Sequence, residues 1–277
     1  MPSQNAFHIV GVYGLNDLLK VLLSRYQDID PARQDKFGRT PLSYAAEYGR
    51  TEVVKTLLCD ERIDPDRQDN RGRTPLSYAA ANGHTEIVKT PLCDDRVDPD
   101  RQDEKGQTPL SYAAEYGCTE VVESLLSDGR VNPDRQDEKG RTPLSYAAER
   151  GGTQVVKTLL RDGRVDPDRQ DNSGRTPLSY AAANGHTEIV KTLLCDDRVD
   201  PDRQDEEGRT PLSYAARCGF TEAVRTLLSD SRVNLDRQDN CGRTPLSWTI
   251  HDHTEVVEAV LSDSSVRSTG PAGSVLD

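Results

Sequence analysis

The chain has 277 residues, 34% of them hydrophobic and 30% charged, and its 47 acidic against 35 basic residues give a net charge of −12. Three Phe and one Trp are thin material for one large core, and a composition of this kind leans toward disorder unless periodicity overturns it. A surface of this sign repels polyanions, which argues against direct binding to DNA or RNA. The sequence has no basic-then-apolar leader, no apolar stretch of membrane-spanning length and no Asn-x-Ser/Thr acceptor. Cys59, Cys93, Cys118, Cys195, Cys218 and Cys241 include no C-x-x-C pair, and free thiols in a reducing compartment are expected. These features together point to an intracellular protein, cytoplasmic or nuclear, without a membrane role.

In chain order, residues 5–23 (NAFHIVGVYGLNDLLKVLL) carry two short helical patterns without a Thr-Pro start, so 1–34 reads as an N-terminal capping repeat. Thr-Pro-Leu-Ser then begins at Thr40, Thr74, Thr108, Thr142, Thr176, Thr210 and Thr244, each step being 34 residues. A fixed period of this size marks a repeat architecture. Thr74 suits an N-cap and Pro75 the first helical residue, where the missing N–H would have no partner. A short helix through Ala79 and Ala80 follows, and Gly83 can end it in the left-handed conformation. Thr85 is expected to cap a second helix, with Ile87, Val88 and Leu92 on one face. Asp98-Pro99 breaks that helix, and an extended stretch leads to the tight turn Asp103-Glu104-Lys105-Gly106. One such unit cannot bury its apolar face alone, but stacked copies can. Residues 35–238 thus read as six repeats. Residues 239–266 form a C-terminal capping repeat with Trp248 in place of Tyr and a turn His251-Asp252-His253, and 267–277 is a polar tail.

The pattern D-x-x-G-x-T-P-L-x-x-A-A-x-x-G-x-x-E-V-V-x-x-L-L, almost complete from Asp35 to Leu58 and repeated six more times, resembles the ankyrin repeat over roughly residues 5–266. The resemblance implies an all-α solenoid of about eight helix-turn-helix units with hairpin-like connecting loops, capped at both ends. Two departures stand out. Ser43 and its equivalents occupy the usual His position, with Tyr44 following. The period is 34 rather than 33, the extra residue falling in Cys59-Asp60-Glu61-Arg62-Ile63. Both features resemble fungal ankyrin arrays, and both are expected to alter the hydrogen bonding under the hairpins.

Chemistry has little to stand on. Catalysis needs unlike groups that converge, whereas here the same groups recur at intervals, with no G-x-S-x-G, P-loop or H-E-x-x-H. Histidines two apart, as in His251-Asp252-His253, point to different sides of a helix, and the ordinary reading is a degenerate turn. Asp64-Pro65-Asp66-Arg67-Gln68-Asp69 has the wrong spacing for a calcium loop and a cation inside it. His84 and His186 follow helix-ending glycines, where the resemblance implies local hydrogen bonding. The expected protein is not an enzyme and takes no cofactor or metal.

The copies differ informatively. Units 69–102 and 171–204 differ only at Arg71/Ser173 and Pro91/Leu193. Pro91 would remove the helical bond to the Ile87 carbonyl at a cost of ~3 kcal/mol and reads as drift in one copy, with a designed hinge as the alternative. Elsewhere TPLSYAA barely changes, while the hairpin tips and first-helix ends vary. The resemblance implies that partners are met at those two places. The candidate contacts are Lys36, Phe37, Glu47, Tyr48, Arg71, Asn82, Lys105, Glu115, Tyr116, Lys139, Arg150 and Arg217, with Phe37, Tyr48 and Tyr116 as aromatic anchors. The function implied is a protein–protein interaction scaffold or adaptor, monomeric on its own, whose partner presents basic patches. The rival readings are a regulatory subunit of a transcription or signalling complex and an array detached from a larger catalytic protein.

Overall fold

The structure, a computed structural model, describes residues 6–26, 28–92, 94–248 and 255–259. Cys93, the His251-Asp252-His253 turn and the tail 267–277 lie outside the described residues. The chain divides into two compact units, Met1–Val165 and Asp166–Asp277, at a loop whose stretch over 166–171 recurs unchanged at 64–69, 98–103 and 200–205.

In the first unit, α1 (Ala6–Tyr13) and α2 (Asn16–Arg25) form the first helix pair, with Phe7, Val10 and Leu19 buried. Four helix pairs follow: α3 (Pro41–Glu47) with α4 (Thr51–Leu58), α5 (Pro75–Ala81) with α6 (Thr85–Leu92), α7 (Pro109–Glu115) with α8 (Thr119–Leu126), and α9 (Pro143–Arg150) with α10 (Thr153–Arg161). The second unit holds α11 (Pro177–Ala183) with α12 (Thr187–Leu194) and α13 (Pro211–Cys218) with α14 (Thr221–Leu228). It continues into a 3₁₀ turn at Pro245–Trp248 and a helical stretch over 255–259. Among the described residues there is no strand, and the hairpins are turns alone.

The first helices begin as the Thr-Pro signal predicts. The Ser77 N–H donates to the Thr74 hydroxyl at 3.2 Å, and Pro75 occupies the first turn. Ser43 gives its place a reason. The Ser43 N–H donates to Thr40 Oγ1 at 3.1 Å, and the Thr40 N–H donates back to Ser43 Oγ at 3.3 Å, a reciprocal cap. The following tyrosine reaches back nine residues, with the Tyr78 hydroxyl donating to Asp69 Oδ2 at 2.6 Å, so the hairpin is tied to its own helix. Gly83 takes the expected left-handed conformation, φ +71°, as does Gly106 in its tight turn at +77°.

The second helices correct one expectation. Thr51, Thr85, Thr119, Thr153, Thr187 and Thr221 are the first helical residues, not caps. The residue before each, such as Arg50 or His186, is the N-cap and makes no side-chain cap bond. The turn after the glycine already satisfies the first donor, since the Thr85 N–H reaches the Gly83 carbonyl at 3.0 Å. A first-turn Glu such as Glu52 or Glu86 complements the helix dipole instead.

Within each unit, first helices stack on first helices and second on second. Alanine pairs such as Ala79-Ala80 and Ala113-Ala114 are fully buried, which lets neighbouring backbones approach closely. Leu57, Leu125, Leu159, Leu193 and Leu227 fill equivalent core positions at 0% exposure. Pro91 stands at that same position. The helix α6 keeps its full span through it, so the disturbance is in packing as well as in the lost bond. A void of about 10 Å³ lies between Leu42, Ala46, Val54, Leu76, Ile87 and Pro91, too small to hold a water molecule comfortably.

Candidate protein-interaction surface

Two polar ladders run from repeat to repeat and hold the edges in register. The Gln68 amide donates to the Gly72 carbonyl of its own hairpin at 2.6 Å and to the Gln102 carbonyl of the next repeat at 2.9 Å. The Arg96 guanidinium donates to the Ile63 and Leu58 carbonyls of the preceding repeat, each at 3.0 Å, and Arg130 and Arg164 do the same one and two repeats on. These arginines sit in the loop that carries the extra residue and satisfy the exposed carbonyl end of the neighbouring second helix. His84 behaves similarly. It bonds the Glu47 carbonyl at 2.9 Å across the repeat junction rather than locally, which corrects the sequence reading.

The acidic loops are occupied internally. Asp64 accepts the Asp66 N–H at 3.0 Å, Asp66 accepts the Asp98 N–H at 2.6 Å, and Asp69 accepts from Arg71, Arg73 and Tyr78. Among the described residues no group of His, Cys, Asp and Glu is placed to hold a metal ion. Burial pushes the Asp66 carboxyl up to about 6, against the pull of the Asp98 N–H. Burial likewise pushes Asp168 up to about 7, with Arg203 opposing and Asp200 adding to the shift.

At the hairpin edge, consecutive tips are joined by backbone bonds, and Asn70 adds a side-chain bond to the Lys36 carbonyl at 3.1 Å. The Asn70 N–H donates to the Phe37 carbonyl, Glu104 to Arg71 and Glu138 to Lys105, at 2.9–3.0 Å. Phe37 is 56% exposed with the Lys36 ammonium 4.8 Å from its ring centroid, and Arg71, Lys105 and Lys139 are exposed on the next three tips. At the first-helix ends, Tyr48 is 47% and Tyr116 61% exposed, whereas Tyr78 and Tyr146 in the TPLSY segments are buried. Asn82 is exposed but donates to its own helix at the Tyr78 carbonyl, 2.9 Å away. Glu47 pairs with Arg39, and Arg150 with Glu115 at 2.6 Å.

The structure brings four of the candidates together. Arg71, Lys105, Glu115 and Tyr116 line one open cavity of about 490 Å³, along with Gln107 and Tyr112. Phe37, Tyr48 and Glu47 belong to an earlier repeat, and Arg217 belongs to the second unit, where it lies 5.3 Å from the Trp248 ring. Sequence reasoning missed the residues beneath this edge. Arg39 lies 3.9 Å from the Tyr44 ring centroid and 4.3 Å from that of Tyr78. Burial opposes the Arg39 charge, yet Glu47 and the two tyrosines more than offset it. Burial and the bond to Asp35 push the Tyr44 phenol up to about 12. The signal was available: the residue before each Thr-Pro is Arg in every unit except at Gln107.

A family model described as ankyrin repeats (3 copies) matches residues 7–103, 58–137, 91–171, 129–205 and 197–269. The chain belongs to the ankyrin repeat family. Among solved structures, the ankyrin repeat domain of Bcl-3, described as a unique member of the IkappaB protein family, is 25% identical. The match covers 82% of this chain and all of that one, with a TM-score of 0.70. The human ASB11 ankyrin repeat domain is 26% identical over 84% of this chain and 99% of that one, with a TM-score of 0.72. No curated protein matches. Ankyrin repeat domains are generally non-catalytic modules for protein–protein interaction, and the hairpin tips and first-helix ends above form the variable edge of this one.

Proposed function

We propose that this ankyrin array is a scaffold or adaptor that binds another protein through its hairpin tips and first-helix ends. The observation that carries this reading is the contrast among aromatic residues: Phe37, Tyr48 and Tyr116 are 47–61% exposed at that edge, while tyrosines such as Tyr78 and Tyr146 are buried. Rigid, exposed aromatic side chains give large contact area at little ordering cost. Capped helices and repeat-to-repeat ladders hold the edge ready before a partner arrives.

The net charge of −12 favours a partner with basic patches, and that attraction weakens with salt. The edge itself is mixed, with cations on the tips and Glu47 and Glu115 beneath them. We place the protein inside the cell, monomeric without its partner and without direct contact to nucleic acid or membrane. Affinity capture from the native cell extract tests the reading. It compares the intact chain with Phe37→Ala/Tyr48→Ala/Tyr116→Ala, after circular dichroism has shown both to be folded. A protein retained by the first and lost by the second supports the reading. Identical captures, or none, would reject this edge as the contact surface.

A further inference from the structure

Six units supply a guanidinium to their own aromatic ring. The arginine carbon of Arg39, Arg73, Arg141, Arg175, Arg209 or Arg243 lies 3.8–5.0 Å from the centroid of the Tyr or Trp in its unit. In five of them the same arginine pairs with the hairpin Asp, for example Arg73 with Asp69 and Arg141 with Asp137, both at 3.2 Å. The Asp Oδ2 is shared: Asp69 Oδ2 accepts the Tyr78 hydroxyl at 2.6 Å as well as the arginine. One carboxylate and one ring thus form a seat for a planar cation, and it recurs down the chain.

Gln107 is the exception. Its neutral, shorter side chain donates to Glu115 Oε2 at 3.1 Å and brings no charge to the ring. Asp103 keeps its other partners, the Lys105 and Gln107 N–H groups at 2.8 Å and the Tyr112 hydroxyl at 2.6 Å. Among the described residues it has no ion pair, and no cation lies over the Tyr112 ring. The open cavity of about 490 Å³ lies at this place, bordered by Asp103, Gln107, Tyr112 and Glu115, with Arg73 of the preceding repeat at its wall.

We propose that this cavity seats an arginine side chain of the partner protein. Its guanidinium lies over Tyr112 and donates to Asp103 Oδ2, and so reproduces what Arg73 and Arg141 do within the chain, while Glu115 keeps its partners Arg150 and Gln107. The identity of the occupant rests on the protein-binding reading above; the seat itself is a property of this unit alone. Arginine fits better than lysine because the seat needs a planar fork that stacks and donates in one plane. Arg71 and Lys105 stand exposed at the rim and oppose entry. Their repulsion is screened within a Debye length of about 8 Å at physiological salt. Arg73, which lines the same cavity and acts electrostatically on Tyr112, is the in-chain competitor for the seat, and removing Arg71 from the rim should leave binding intact or strengthen it.

The test needs no partner. The full chain, labelled with ¹⁵N, is titrated with Ac-Gly-Arg-Gly-NH2 and with its lysine and citrulline counterparts, observing the Gln107 and Lys105 amides. Saturable shifts with the arginine peptide are expected, about tenfold tighter than with the other two, the worth of one charge-assisted hydrogen bond at roughly 1.4 kcal/mol. Gln107→Arg, which installs the residue of the six sister units, should fold with an unchanged or raised Tm and lose the arginine response. Arg71→Ala should keep that response. Equal shifts with all three peptides, an undiminished response in Gln107→Arg, or no shift at Gln107 would each overturn the proposal. If partner capture by the hairpin edge survives that outcome, only the arginine seat is removed and the interaction module stands.

Discussion

Units 69–102 and 171–204 share all but two residues, and their local structures agree closely. The tyrosine-to-aspartate bond is 2.6 Å in both, Asn82 and Asn184 each donate to their own helix at 2.9 Å, and the arginine lies 4.4 Å from its ring in one and 4.5 Å in the other. The two differences fall on opposite sides of a physical boundary. Arg71 and Ser173 sit on hairpin tips, where the side chain meets solvent and the turn is held by backbone and Asp bonds. Pro91 and Leu193 sit in the core, where Leu193 is fully buried and Pro91 borders a void. One exchange changes what a partner would meet. The other changes what the fold must tolerate.

The largest expected effect comes from making the second unit resemble the first. Leu193→Pro removes a helical bond and a core leucine, and should cost at least about 3 kcal/mol in urea unfolding. The reverse change, Pro91→Leu, should stabilise the chain by about 1–3 kcal/mol by restoring the bond to Ile87 and filling the void. A neutral result there would mean that the neighbouring repeats have fully absorbed the proline.

A smaller effect separates the loops that lead into these units. Asp66 and Asp168 occupy equivalent positions, and burial raises both carboxyls, to about 6 and about 7. The native state therefore binds more protons than the unfolded state between pH ~4 and the raised values. The stability this contributes is fully present below pH ~4 and is lost as pH rises through 6 for Asp66 and 7 for Asp168. Asp168→Asn should accordingly be more stable than the parent at pH 8, by about 1–3 kcal/mol after solvent screening, with the gain vanishing near pH 4. Asp66→Asn should show the same sign and a smaller gain. Thermal unfolding across pH 4–8 reads both, and a gain that grows toward low pH would reverse the assignment.

Much of this was legible in the sequence because its signals are local. Thr74-Pro75 marks a helix start through its own hydroxyl and ring, and Gly83 marks an end through its own φ, so one unit sufficed to place both. What escaped was non-local. His84 finds its acceptor 37 residues away, and Arg96 finds carbonyls 33 and 38 residues back, partners that no single unit contains. Thr85 escaped for the opposite reason: the Val88 N–H that its side chain was expected to cap already bonds the His84 carbonyl at 3.0 Å. Pro91 could have been placed in the core by aligning it with Leu57 and Leu125, and Gln107 singled out by aligning it with Arg73 and Arg141. At the edge, sequence variation marked Arg71, Lys105, Glu115 and Tyr116, but only the structure brings these four to one cavity.

The division between a packed framework and an edge kept for a partner is tested most directly by urea unfolding of the Phe37→Ala/Tyr48→Ala/Tyr116→Ala chain against the parent. Residues that serve a partner and not the fold should change stability by no more than about 0.5 kcal/mol each. A loss of about 2 kcal/mol or more per site, the scale of a buried framework residue, would show that these aromatic side chains hold the array together and would contradict the division.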